Sequence, residues 1–296
     1  HPPSTMPNPS EYRPLLFSIA YRMLGRVAEA EDMVQETFLR WHKQDVSQIL
    51  EPRAWLTTAI TRLCIDQMRS ASRQREEYTG IWLPEPLIED EGPDGAADLA
   101  DSLGTAFMMM LEELTPVERA AFLLREAFGH DYATIAEIVG KSEANCRQMV
   151  SRAKARLGRA EEPKPTANEE VERLVKEFLH ATQTGELADL MSLLTDDAIL
   201  YSDGGGKVRA ARLPIYGPDK ISRMFIGLRR FQNGELPPTK FVRINGSPGV
   251  LTRGSDGNIN AMTFAFEGDK VKAVFIVRNP PSLSTVAGEM SATIVT

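Results

Sequence analysis

The groups best placed for chemistry on this chain lie along one run, Glu143-Ala144-Asn145-Cys146-Arg147-Gln148-Met149-Val150-Ser151-Arg152-Ala153-Lys154-Ala155-Arg156-Leu157. Cys146, Met149, Val150, Ala153 and Leu157 recur at helical spacing and predict a buried face. Asn145, Arg147, Gln148, Ser151, Arg152, Lys154 and Arg156 fall on the other faces. Asn, Gln and Arg in the first turns of such a helix can hydrogen-bond base edges in a major groove. Arg and Lys toward its end suit phosphates, which position a protein without reading sequence. A solvated cationic face on an ordinary helical hairpin would have the same composition. The preceding residues favour the first reading. Thr115-Pro116-Val117-Glu118 has Thr at an N-cap, Pro at the first helical position and an acid in the first turn. Tyr132 to Val139 is a short helix with Ile135, Ile138 and Val139 on one face. Gly140 then supplies a tight turn and Ser142 caps the basic run, so the segment predicts a helix-turn-helix.

Two further charged surfaces lie nearer the start. Glu29-Ala30-Glu31-Asp32-Met33-Val34-Gln35-Glu36 exposes acid between apolar positions. Pro52 to Arg75 combines Trp55, Leu56, Ile60, Leu63, Ile65 and Met68 with Arg53, Arg62, Arg69, Arg73 and Arg75. One helix presenting acid and another presenting arginine predict a module with one basic and one acidic partner. Two amphipathic helices with ordinary surfaces remain the alternative.

The elements that must position these groups divide the 296 residues into several parts. Residues 10–77 and 102–160 are helical in pattern, and residues 78–101 are an acidic, Pro- and Gly-broken linker that reads as a solvated connector. Residues 167–283 change character, with helices over Glu169–Thr184 and Leu187–Leu194 before alternating stretches. Those stretches, Ala198–Ser202, Lys240–Ile244, Gly249–Thr252, Ile259–Phe266 and Lys270–Val277, predict an antiparallel sheet with turns at Asp256-Gly257 and Gly268-Asp269. Residues 284–296 are a tail. The net charge of −7 argues at face value against nucleic acid, but it averages an acidic linker with basic helices. Cys64 and Cys146 sit inside amphipathic stretches and read as buried thiols, with no His at ligand spacing, so no metal is expected. No apolar run approaches the roughly 18–20 residues that cross a bilayer, and a cytoplasmic protein away from membranes is the simplest expectation.

At this point the pattern resembles a known family. Tyr21-Arg22-Met23-Leu24-Gly25, Ala30 to Arg40, Pro52 to Thr58 and Cys64 to Ser70 resemble region 2 of extracytoplasmic-function sigma factors, and the helix-turn-helix is similar to region 4. Trp82-Leu83-Pro84-Glu85-Pro86 and Asp203-Gly204-Gly205-Gly206-Lys207 resemble two signatures of the subgroup with a C-terminal SnoaL-like domain. The subgroup ends that domain with Asn-Pro-Asp-Lys-Leu. Here Asn279-Pro280-Pro281-Ser282-Leu283 keeps the ends without the charged pair.

The resemblance implies two all-α domains, the region 2 bundle and the region 4 helix-turn-helix, followed by an α+β SnoaL-like cone with a curved antiparallel sheet. It implies core RNA polymerase, through its β′ coiled coil and β flap, and promoter DNA as partners. Asp32, Gln35 and Glu36 would grip the polymerase, while Arg53, Trp55, Arg62, Arg69 and Arg73 would meet the −10 element. The seven polar residues of the basic helix would read the −35 element. Trp82, Leu83, Pro84, Asp203, Gly204, Gly205, Gly206 and Lys207 would make regulatory contacts between domains, replacing a separate anti-sigma factor. The rival reading is a small-molecule-binding protein or SnoaL-like isomerase or cyclase that uses the helices as scaffold. Asp196, Asp197 and Asp203 could supply an acid, but no His or Tyr–Asp arrangement accompanies them, so neither catalytic residue nor cofactor is assigned.

Overall fold

The computed structural model describes residues 8–45, 48–75, 80–88, 104–157, 168–206, 210–231, 237–278 and 280–283. Its contacts divide the chain into two units: one of helices, which includes residues 8–75 and 107–157, and one that includes 80–88, 104–106 and 168–283.

The helical unit begins with α1 (Arg13–Leu24), α2 (Val27–His42) and α3 (Pro52–Arg75). Every residue of α1 from Leu16 to Leu24 is buried, because α2, α3 and a later helix over Pro116–Glu126 all pack on it. A left-handed Gly25 (φ 68°) ends α1 and turns the chain into α2. After α4 (Thr105–Leu111) come α5 (Pro116–Glu126), α6 (Tyr132–Val139) and α7 (Glu143–Leu157). Thr115 and Glu118 form a reciprocal capping box at the start of α5. Arg119 of α5 is completely buried, where its Nε donates to the Arg22 carbonyl (2.9 Å) and its Nη1 pairs with Glu112. Arg22 is itself buried, bonded to Ser18 (2.7 Å), with its guanidinium 5.2 Å from the Phe128 ring centre. Burial lowers its pKa to about 10, which still leaves it charged at neutral pH.

The second unit contains α8 (Asn168–Thr184), α9 (Leu187–Ser192), β1 (Leu194–Asp203), β2 (Ile215–Tyr216), α10 (Pro218–Phe231), β3 (Thr239–Ile244), β4 (Ser247–Arg253), β5 (Ile259–Glu267) and β6 (Lys270–Arg278). The strands form one sheet in the order β2-β1-β6-β5-β4-β3. The expectation of an antiparallel sheet is corrected here: β1 and β6 are parallel, and the sheet is mixed. A meander of four strands after α10 returns β6 beside β1 in the same direction, a pairing no hairpin signal can announce. Register shifts between Leu194 and Ile199 and between Ala265 and Phe266 bend the strands, as β-bulges do. Beneath the sheet, Val175, Phe178, Leu200, Ile221, Phe225 and Val274 form the core. Phe178 stands edge-on to Phe225 (5.4 Å) and to Phe264 (5.3 Å), so aromatic rings fill the space between helices and sheet.

Gly249 in β4 allows close packing of the sheet. A Cβ there would lie 2.9 Å from Ile244 Cδ1 and 2.9 Å from the Met262 carbonyl oxygen. Gly249→Ala is therefore expected to destabilise the α+β unit by about 1–3 kcal/mol, since a backbone oxygen cannot step aside. Thermal unfolding of the full chain checks this, and an unchanged transition would show that the strand shifts freely.

Candidate nucleic-acid interface

The helix-turn-helix is built from short-range signals. Asp131 caps α6 by accepting the Thr134 N–H (2.8 Å), an interaction that holds its carboxyl below the usual range. Gly140 ends α6 in the left-handed conformation (φ 68°), and Ser142 Oγ accepts the Asn145 N–H (3.2 Å) to start α7. Ala121, Leu124, Ile135, Ile138, Cys146, Met149 and Val150 form the core that fixes α7 against α5 and α6. Burial raises the Cys146 thiol pKa, with Glu143 adding to it, and Cys64 is pushed up further by complete burial. Both are buried free thiols.

All seven polar candidates on α7 are exposed: Asn145, Arg147, Gln148, Ser151, Arg152, Lys154 and Arg156. Their intramolecular partners differ along the helix. Lys154 pairs with Glu126 (2.9 Å) and Arg156 with Glu118 (3.5 Å), both on α5, while Arg152 Nε donates to the Gln148 carbonyl (3.4 Å). Arg147 pairs with Glu143 one turn earlier (2.9 Å) and lies over the Tyr132 ring. At such exposure these ion pairs are worth at most about 1 kcal/mol, so a phosphate can displace them.

On α2, Asp32 and Gln35 are exposed, and Glu36 is paired with Arg40 (2.9 Å) on the same helix. Glu31 is turned toward Arg13 of α1 (2.5 Å). On α3, Arg53 is exposed and Arg69 is exposed with Asp66 at 3.8 Å. Trp55 is half-buried, edge-on to Trp41 with ring centres 5.5 Å apart. The Arg73 side chain lies outside the described residues. Arg62 has a different environment: its Nε donates to the Ile138 carbonyl (3.0 Å) and its Nη2 to the Glu137 carbonyl (2.9 Å). Those carbonyls belong to the last turn of α6, where helix acceptors lack intrahelical donors and attract cations. His130, in the loop before α6, has its pKa lowered by burial and then by the charge of Arg53.

Over residues 80–88 the linker is not the solvated connector its composition suggests: Leu83, Glu85, Leu87 and Ile88 are buried, whereas its acidic run from Glu89 to Asp101 lies outside the described residues. Asp203, at 2% exposure, accepts the Leu83 N–H through Oδ2 (2.9 Å) and the Gly205 N–H through Oδ1 (2.7 Å). Gly205 and Gly206 have φ of 60° and 72°, so the glycines serve the handedness of the turn. Gly204 is buried beside Asp203, whereas Lys207 lies outside the described residues, as does Asn279. Trp82 and Pro84 flank Leu83 and are partly buried and buried. A second anchor, not found in the sequence, is Asn245. Its Oδ1 accepts the Leu87 N–H (3.1 Å) and its N–H donates to the Leu87 carbonyl (2.9 Å). Ile88 then bridges to Ile244 and joins a cluster with Leu251, Ile259, Ala261 and Leu283. The Asn245-Gly246 dipeptide was the available signal, since both residues take positive φ (51° and 81°) as a two-residue hairpin requires.

Comparison with known proteins adds to this geometry. The sequence profile of Sigma-70 region 2 matches residues 10–74, and that of Sigma-70, region 4 matches residues 105–157. ECF RNA polymerase sigma factor SigJ of Mycobacterium tuberculosis is 38% identical over 283 residues, covering 90% of this chain and 88% of its own. Probable ECF RNA polymerase sigma factor SigI of the same organism is 28% identical over 285 residues, covering 94% of each. The crystal structure of M. tuberculosis extracytoplasmic function sigma factor SigJ matches with a TM-score of 0.74 at 35% identity, over 94% of this chain and 98% of that one.

Proposed function

The chain belongs to the extracytoplasmic-function sigma factors of RNA polymerase, transcription initiation factors and not enzymes, and we propose how its residues divide that work. The exposed polar side of α7, from Asn145 to Arg156, reads the −35 element, with region 4 seated on the polymerase β flap. The supporting observation is that all seven of its polar candidates face solvent while the opposite side closes the helix-turn-helix core. Arg53, Arg62, Arg69 and Arg73 of α3 hold phosphate at the −10 element, with Trp55 beside them for an unstacked base. Asp32, Gln35 and Glu36 of α2 bind the β′ coiled coil.

This division requires the helical unit to open. Elements named for positions 25 base pairs apart lie about 85 Å apart along a duplex rising roughly 3.4 Å per pair. Arg62 here donates to the carbonyls of Glu137 and Ile138, and it cannot hold DNA phosphate with the same donors. Polymerase binding supplies the free energy for separation by preferring the open form.

The SnoaL-like α+β unit acts as a built-in regulator through the linker that joins the two sigma regions. Trp82, Leu83 and Pro84, with Asp203 and the turn at Gly204, Gly205 and Gly206, form the contact by which it sets the linker's path, and Asn245 supports it; Lys207, outside the described residues, is assigned to the same contact. Control of this kind requires no separate anti-sigma factor. The protein works in the cytoplasm with the polymerase; among the described residues no helix is long and apolar enough to cross a membrane.

Run-off transcription with core polymerase tests the reading by comparing the full chain with one ending near Pro163. Discrete start sites that change severalfold in strength between the two are expected. Equal strength at matched protein levels would remove the regulatory role. Polymerase binding by neither protein would remove the residue assignments on α2.

A further inference from the structure

Among the cations of α7, Arg147 alone combines a place in the first turns with a support from another helix. Its guanidinium carbon lies 5.1 Å from the centre of the Tyr132 ring, within cation–π range, and its Nη2 is 2.9 Å from Glu143 Oε2. Tyr132 opens α6, directly after the cap residue Asp131, and is packed partly into the helix-turn-helix core. A second guanidinium, that of Arg125 on α5, lies 4.7 Å from the same ring centre. Arg125 is itself tied by its Nη1 to the His130 carbonyl (2.9 Å). The ring is therefore set by its own helix, by the core beneath it and by a tethered arginine. Arg147 rests on a platform that does not belong to the recognition helix.

Such support has a chemical consequence. A free arginine samples many rotamers, and ordering it on binding costs up to about 2 kcal/mol. The guanidinium is a planar fork, and the pattern it fits in the major groove is the O6 and N7 pair of guanine. A fork whose plane is set before encounter favours the partner with two coplanar acceptors over one that offers a single acceptor. Among the described residues no ring supports the cations nearer the end of α7. Lys154 and Arg156 pair with carboxylates of α5, an arrangement suited to exchange for phosphate.

We propose that Tyr132 is a positioning residue for promoter selectivity, orienting Arg147 for bidentate hydrogen bonding to a guanine of the −35 element. The inference rests on the reading of α7 as the −35 reader, and its test separates the two. Full-length protein with core polymerase is used to transcribe a pool of promoters randomised across the −35 element, with wild type beside Tyr132→Phe, Tyr132→Leu and Arg147→Ala. Arg147→Ala is expected to abolish the guanine preference at one position. Tyr132→Leu keeps apolar packing but removes the platform, and should lower the preference at that same position by roughly fivefold. Tyr132→Phe retains the ring and should match wild type. A uniform loss of transcription with Tyr132→Leu across all −35 sequences would overturn the proposal, because a merely structural role predicts that. So would a Phe variant that behaves like the Leu variant. If Arg147→Ala changes no base preference, the assignment of Arg147 fails and the proposal with it. A clear effect of Arg147→Ala with none from Tyr132→Leu leaves that assignment standing and removes only the platform.

Discussion

Arg119→Met is expected to lower the stability of the helical unit by about 3 kcal/mol or more, the range for breaking a buried ion pair from one side. Arg119 is completely buried, and its partners include both the Arg22 carbonyl at 2.9 Å and the Glu112 carboxylate. Methionine fills much of the volume but leaves both acceptors without their donor. For a unit of this size the midpoint of thermal unfolding should fall on the order of 10 °C. Amide exchange should quicken in α1 and α5 together, because the Arg119–Arg22 contact joins residues 97 positions apart. Arg119→Lys, which keeps a charge for Glu112 but cannot serve both partners with a planar fork, should fall between. A loss below about 1 kcal/mol for the Met variant would mean that apolar packing alone holds α5 against α1.

The second large effect is expected at Asp203. Among the described residues its carboxylate accepts the N–H groups of Leu83 and Gly205. In Asp203→Ala the buried Leu83 N–H loses its partner at a cost of about 1–3 kcal/mol, while the exposed Gly205 can turn its N–H to water and loses less. The linker from Leu83 to Ile88 should then open more often, and a cost of about 2 kcal/mol corresponds to roughly 30-fold faster amide exchange there. Asp203→Asn retains one acceptor oxygen and should give a smaller change. If the α+β unit regulates through this tie, Asp203→Ala should shift run-off transcription in the same direction as the chain ending near Pro163. That comparison matters because shortening the chain also exposes Leu83, Leu87 and Ile88, whereas the point variant leaves the unit in place. Faster exchange with unaltered transcription would reduce the contact to a structural one.

How much of this was legible beforehand varies from element to element. The α5–α7 segment is readable in the sequence because Thr115, Gly140 and Ser142 act on backbone groups within three or four positions; Asp131, the cap of α6, is an equally local signal that the sequence expectations leave out. The strands β3 to β6 were readable for a similar reason, alternation and glycine turns. Helix α10 is absent from the sequence expectations, although Pro218 at its start and Ile221, Phe225 and Leu228 on one side are signals for it. Strand β2, two residues long, has too few positions to show a period.

The local pieces follow from residue order alone: helices and caps, the polar side of α7, the arginine-rich α3 and the acidic α2. Each depends on spacing within one or two turns. Burial of the linker at Leu83, Leu87 and Ile88 depends instead on long-range packing, because its partners Asp203 and Asn245 lie 120 and 158 residues away. So do the parallel pairing of β1 with β6, the bonds of Arg62 to the last turn of α6 and the contact of Arg147 with the Tyr132 ring. One cause underlies all four. Backbone periodicity and capping are encoded within a few residues, whereas a hydrogen bond or ring contact between distant segments is chosen only when the fold brings them together.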